Sequence, residues 1–223
     1  MTFLELCVKA RQECGIQGTG PTTVTSQTGL LKRIVDWVAD ADMYIQGLHT
    51  DWDFLWDEHT ASTVPDSDSM TKPTDHALWD SESFALDRGD SDGIPLSVIP
   101  YKEWRAFVGE KTSMRPSSLC ILPNNNIAFR YPADDVYVFY GAYWKFSSLM
   151  DADADEPPYA ERYQRSIIAK TKMWYFADTE AISLYQEAEK EFKEIISQME
   201  SHYLIGMDRL AQMSPEQMVV RPI

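Results

Sequence analysis

The sequence predicts an α+β fold: a helical bundle contributed by the N- and C-terminal segments, with an antiparallel β-rich subdomain inserted between them. Three observations lead there. Apolar residues recur at helical spacing near both ends of the chain. Between those ends the apolar runs are short and broken by Pro, Gly, Asp and Ser, the pattern of strands joined by turns. At 223 residues, 44% hydrophobic and 12% aromatic, the chain can bury a core in one large domain or two small ones. The implied division is residues 1–50 for the N-terminal helices of the bundle, 51–150 for the β-rich insertion with a short helix, 151–205 for the C-terminal helices, and 206–223 for an extended C-terminal arm.

The elements follow in order. Thr2 with Glu5 three positions on fits a capping box, and Phe3, Leu6, Cys7, Ala10 and Cys14 make one helical stripe that Gly15 stops. GIQGTGPTTVTSQTG (15–29) is polar and glycine-rich, hence a loop. Leu31, Ile34, Val35, Val38, Ile45 and Leu48 then mark a long second helix over residues 28–47. In HTDWD and the residues after it, period-two spacing sets Asp51 and Asp53 on one side of a strand and Trp52, Phe54 and Trp56 on the other. Further strands are read at LSVI (96–99), SLCIL (118–122), NIAFR (126–130) and DVYVFYGAYWKF (135–146), all antiparallel, with PNNN (123–126) as a hairpin turn and YKEWRAFVG (101–109) as a short helix. DADADEPPYAERYQ (151–164) reads as a turn into a helix, its carboxylates suiting the positive end of the helix dipole. Tyr163, Ile167, Ile168, Trp174 and Tyr175 mark one following stripe. Ala181, Tyr185, Ala188, Phe192, Ile195, Met199 and Tyr203 mark another, in alternating steps of four and three that suit helix-on-helix packing. The tail after Gly206 loses regular spacing and contains Pro215 and Pro222.

Composition and motif spacing exclude several kinds of chemistry. A net charge of -15 opposes nucleic-acid affinity, which depends on clustered Lys and Arg. The chain has no run of about 18 apolar residues that could span a membrane, and MTFLELCVKAR lacks the basic-then-apolar layout of a signal peptide, so a soluble cytosolic chain is expected. Cys7, Cys14 and Cys120 form no C-x-x-C pair and read as reduced core residues. Asp151, Asp153 and Asp155 resemble the start of a calcium loop, but the sixth residue is Glu156 instead of Gly and the twelfth is Arg162, a cation where the loop needs a bidentate acid. The glycines of GIQGTG follow a helix and lack the Lys-Ser/Thr ending of a phosphate-cradling loop, and neither G-x-S-x-G nor H-E-x-x-H occurs. No catalytic, cofactor or metal residues are assigned. Two other readings stay open on the residues alone: a carboxylate-dependent hydrolase using His49, Asp51 and Asp53, and a monomeric module whose β-rich middle binds a ligand.

Residues 18–49, GTGPTTVTSQTGLLKRIVDWVADADMYIQGLH, together with DWDFLW, resemble the head-to-tail adaptor (connector) proteins of tailed bacteriophages, in which a G-x-G-P-x-x-V-x-x-Q-T-G loop feeds a helix reading K-R-I-V-D-W-V. PNNNIAF, GAYWK (141–145), the D-x-D-x-x-P segment and two C-terminal helices extend the resemblance over most of the chain. The family more often has Gly-Gln-Thr-Gly-Glu where this chain has Ser26, Gln27, Thr28, Gly29 and Leu30. The resemblance implies a non-enzymatic virion protein of the head-tail neck, made in the bacterial host cytoplasm. It would form a closed ring of about twelve copies below the portal protein, contact tail or nozzle proteins and continue the DNA channel. The genome would pass without sequence-specific contact, helped by an acidic wall. Its working residues would be interface residues: the aromatics Trp52, Trp56, Tyr137, Tyr140, Tyr143 and Trp144, and the arm residues Leu210, Met213, Met218, Val219 and Val220.

Overall fold

The capping box read at Thr2 is formed: Glu5 N–H donates to Thr2 Oγ1 at 3.3 Å and Thr2 N–H donates to Glu5 Oε2 at 2.9 Å. These bonds satisfy two of the donors that every helix start leaves free. The computed structural model describes residues 1–88, 93–106 and 112–204, a mixture of five α-helices and two β-sheets. Its chain separates into two compact units, Met1–Phe54 with the chain from Ser147 onward, and Leu55–Phe146. The arm expected at 206–223, including Leu210, Met213, Met218, Val219 and Val220, lies outside the described residues.

The first unit is helical. It contains α1 (Phe3–Glu13), α2 (Gly29–Gln46), and, after the β-rich unit has intervened, α4 (Arg165–Asp178) and α5 (Ile182–Tyr203). α4 touches each of the other three, and α1 also touches α2. The stripe on α1 buries Phe3, Leu6, Cys7 and Ala10, and α2 buries Ile34, Val35, Val38 and Ile45. Each such Leu, Ile or Phe contributes roughly 1.5–3 kcal/mol by leaving water. Two expected stripes are corrected in detail. On α4 the buried face runs through Ile167, Ile168, Met173 and Phe176, while Trp174 and Tyr175 are only half-buried. On α5 it runs through Ala188, Phe192, Ile196 and Met199, so Ile196 replaces Ile195. An ideal helix turns 3.6 residues per cycle, and a stripe drawn with strict steps of four and three drifts off its face.

The second unit is β-rich. β9 (Val138–Lys145) is its long central strand, paired on one side with β1 (Trp56–Ser62) and on the other with β3 (His76–Trp79) and β4 (Ala85–Asp87), all antiparallel. β5 (Ile94–Pro95) extends that sheet beyond β4. A second sheet runs β2 (Ser69–Met70), β8 (Ile127–Phe129), β7 (Ser118–Ile121), β6 (Ser97–Val98). Leu96, the single residue between β5 and β6, carries the chain from one sheet to the other and is buried where both contribute to one core with Phe84, Leu86, Leu119, Phe129 and Phe139. PNNN forms the β7–β8 turn, with Asn125 at φ 63°, a left-handed position that Asn tolerates. Two expectations fail here. β6 and β7 are parallel, because the chain between them, including α3 (Tyr101–Ala106), crosses over and re-enters in the same direction. Residues 51–55 are not strand: a turn and a 3-10 helix over Asp53–Leu55 precede β1, which starts at Trp56.

Gly141 shows why a glycine sits inside β9. A Cβ there would lie 2.9 Å from Phe84 Cδ1 and 3.0 Å from the Phe139 ring. The rings of Phe84 and Phe139, 5.7 Å apart, close over the bare backbone.

Candidate functional site

The side chains that first suggest chemistry are not gathered into one site. His49 Nε2 meets Glu200 Oε1 at 3.0 Å and its ring stands edge-on to Trp52 at 4.9 Å. Asp51 is exposed in a turn and Asp53 opens the 3-10 helix, so the strand face that was to bring the two together does not form. In DADAD, Asp153 Oδ1 accepts from Val24 N–H at 2.6 Å and Thr23 Oγ1 at 3.1 Å, while Asp155 Oδ2 accepts from the N–H groups of Asp151 and Ala152, both at 2.8 Å. Those backbone bonds hold the Asp155 carboxyl below its ordinary pKa. The main-chain oxygens of Asp155 and Asp153 accept from Phe3 N–H and Leu4 N–H at 2.7 and 3.3 Å. The segment is therefore a clamp: it closes the start of α1 and fastens the glycine-rich loop. Among the described residues no group of three or more His, Cys, Asp or Glu is arranged to hold a metal ion.

The thiols are buried and free, and burial pushes those of Cys7 and Cys14 up to about 12, which keeps them as unreactive thiols at neutral pH. The carboxyl of Asp42 has no exposed surface. It accepts from Tyr159 OH at 2.8 Å and Gln46 Nε2 at 2.7 Å, and burial raises its pKa to about 6 against those bonds. Gln46 in turn bonds Ser148 through both its amide atoms, at 3.2 and 3.1 Å. This network joins α2 to the chain returning from the β-rich unit.

The six expected aromatic anchors divide by exposure. Trp52, Tyr137 and Tyr143 are at most 5% exposed, with Trp52 Nε1 donating to Ile45 O, Tyr137 OH to Asp134 and Tyr143 OH to Asp75. They pack the chain's own interior. Trp56 and Tyr140 are 40% and 41% exposed, and Trp144 is half-buried. In register, Trp56 and Leu78 flank Trp144 from either side, and Leu78 is itself 45% exposed. The β1–β9–β3 face thus presents an apolar row.

A second surface was missed by the sequence reading. On the helical unit, Trp37, Asp40, Met43 and Tyr44 of α2 and Trp174 and Asp178 of α4 line an open cavity of about 680 Å³. Arg33 ties its rim, bonding Asp178 at 2.7 Å with its guanidinium 4.6 Å above Trp37. Lys170 places its ammonium 3.8 Å from the centre of the Tyr44 ring, and burial lowers its pKa. Trp, Tyr and Arg gathered in a concavity is the composition of protein-interface anchors. The signal was in the sequence: Trp37 and Tyr44 lie off the apolar stripe of α2, and large aromatics on the outward side of a helix have no core to fill.

No helix among the described residues is long and apolar enough to cross a membrane. Comparison with curated proteins finds no match. The family model described as SU10 adaptor protein matches residues 1–215. The chain belongs to the SU10 adaptor protein family and is a structural adaptor protein of a bacteriophage.

Proposed function

We propose that this adaptor forms a closed ring of about twelve copies below the portal, joining capsid to tail and continuing the DNA channel. The match to an adaptor family along nearly the whole chain carries the reading. Two features support it. Both units expose apolar surface rich in aromatics, at Trp56, Tyr140 and Leu78 in one and around Trp37, Tyr44 and Trp174 in the other. A subunit of a rotationally closed ring needs two different contact surfaces, one for each neighbour. A net charge of -15 suits a wall past which DNA slides without adhering. Portal and tail proteins are the partners of this reading, and residues 206–223 are its portal-docking arm, with Leu210, Met213, Met218, Val219 and Val220 as apolar anchors.

The isolated chain is expected to be mainly monomeric and to close into a ring on the portal, where simultaneous contacts raise the effective concentration of each neighbour. Deleting residues 206–223 is expected to leave helical circular dichroism intact and to abolish co-sedimentation with portal-bearing capsids. Equal co-sedimentation of the truncated and full chains would remove the arm from the mechanism. Electron microscopy of such particles, showing no ring at the portal when the full chain is bound, would remove the ring.

A further inference from the structure

Between β1 and β2, consecutive strands that belong to different sheets, the β-rich unit contains a cavity of about 330 Å³. Its polar lining consists of His59, Ser62, Ser69, Thr71, Lys72 and Asn126. Each of these side chains can donate a hydrogen bond, and none is a carboxylate, in a chain that carries 35 acidic residues. We propose that this cavity is a binding site for a small oxyanion, a carboxylate or phosphate group.

Several details support the assignment. His59 Nε2 is buried and has no hydrogen-bond partner, a cost that a ligand acceptor would remove. Its ring is held against Trp79, Phe139 and Tyr143, at 5.9, 6.4 and 6.5 Å, so the imidazole is fixed before any ligand arrives. The Lys72 ammonium forms no ion pair among the described residues. The backbone N–H of Lys72 donates to Asn126 Oδ1 at 3.2 Å, which commits the oxygen end of that amide and leaves its NH₂ as a donor. The carboxylate that acts electrostatically on His59 is Asp75, which already accepts from Tyr143 OH at 3.0 Å and does not line the cavity. Burial lowers the pKa of His59, so the ring is neutral near pH 7 and a bound oxyanion would draw that pKa upward.

The oxyanion can be free phosphate or the carboxylate of a protein side chain, and the test separates them. The His59 ring resonances of the full chain are followed by NMR during titration with inorganic phosphate, with acetate, and with chloride at matched ionic strength. Saturable shifts with phosphate or acetate, and none with chloride, are expected. The tighter of the two identifies the source, and the His59 pKa rises in its presence. Lys72→Met is expected to weaken binding about tenfold or more while Lys72→Arg retains it. Non-saturating shifts, an equal response to chloride, or equal affinity in Lys72→Met and wild type would overturn the proposal.

Discussion

The two units hold themselves together by different means. The helical unit is assembled from chain segments on either side of the β-rich one, and its joints are directional and polar. Asp153 takes Val24 N–H and Thr23 OH, Asp42 takes Tyr159 OH, Gln46 takes Ser148 N–H, and Arg165 and Lys172 of α4 both pair with Glu13 of α1 and Glu191 of α5. The β-rich unit is one continuous stretch whose core is aromatic: Trp79, Phe84, Phe129, Tyr137, Phe139 and Tyr143 pack together, and buried His76 stacks on Tyr143 with neither ring nitrogen bonded. Among the described residues, the ion pairs of Arg88 with Asp135 and of Lys145 with Asp57 lie at its surface. The contrast has a physical reason. A contiguous chain finds its pairings through short loops, so non-directional burial suffices. Segments more than 90 residues apart gain from bonds that only one alignment satisfies, and a buried polar group left without its partner costs about 1–3 kcal/mol.

The largest expected effect tests the aromatic side. Phe139→Ala removes a fully buried ring from near the start of β9 and is expected to destabilise the β-rich unit by about 3–5 kcal/mol. Near-ultraviolet dichroism should fall while helical dichroism persists at temperatures where the β-rich unit has melted. Simultaneous loss of both signals would break the distinction between the units.

Next in size is Asp42. A carboxyl whose folded pKa is about 6 against an ordinary 3.8 binds its proton more tightly when folded. The ionised form is therefore penalised in the fold, fully above pH 6. Stability contributed by this group rises as pH falls from 6 towards 4 and is constant below that. The span corresponds to roughly 3 kcal/mol. Chemical denaturation of wild type and Asp42→Asn across this window should show the difference between them changing with that sign. Parallel pH profiles would mean that Asp42 is not the buried acid described here.

Asp153→Ala sharpens the comparison at one joint. It strands the Val24 N–H and is expected to cost about 1–3 kcal/mol, with faster amide exchange in residues 18–28 and unchanged protection in β9. The smallest effect belongs to Arg165→Met. Its side chain is 46% exposed, and breaking its pairs with Glu13 and Glu191 should cost at most about 1 kcal/mol in thermal denaturation, less at high salt. A larger loss would place the weight of the helical unit on its charges.

Local rules made the helices, the capping box and the PNNN turn legible, because a helix period, a cap and a turn residue act within a few positions of chain. They also disqualified DADAD as a calcium loop through Glu156 and Arg162. The same rules could not say what Asp153 does instead, since its partners at Val24 and Thr23 lie 129 and 130 residues away. Nor could they choose Trp56 and Tyr140 over Trp52, Tyr137 and Tyr143, because an aromatic residue in a short apolar run has the same spacing whether it meets a core or water. The parallel pairing of β6 with β7 depends on the path of the intervening chain, and the α2–α4 concavity exists only when Trp37 and Tyr44 are brought beside Trp174. By itself the sequence determined the helices and the later strands, the mixed fold class and the family resemblance, all of which are written in spacing along the chain, while the strands between residues 56 and 87 were not read from it. Only the tertiary structure decided which side chains face inward, which strands meet and in what direction, and which distant groups bond. Those follow from contacts between segments whose separation no local period encodes.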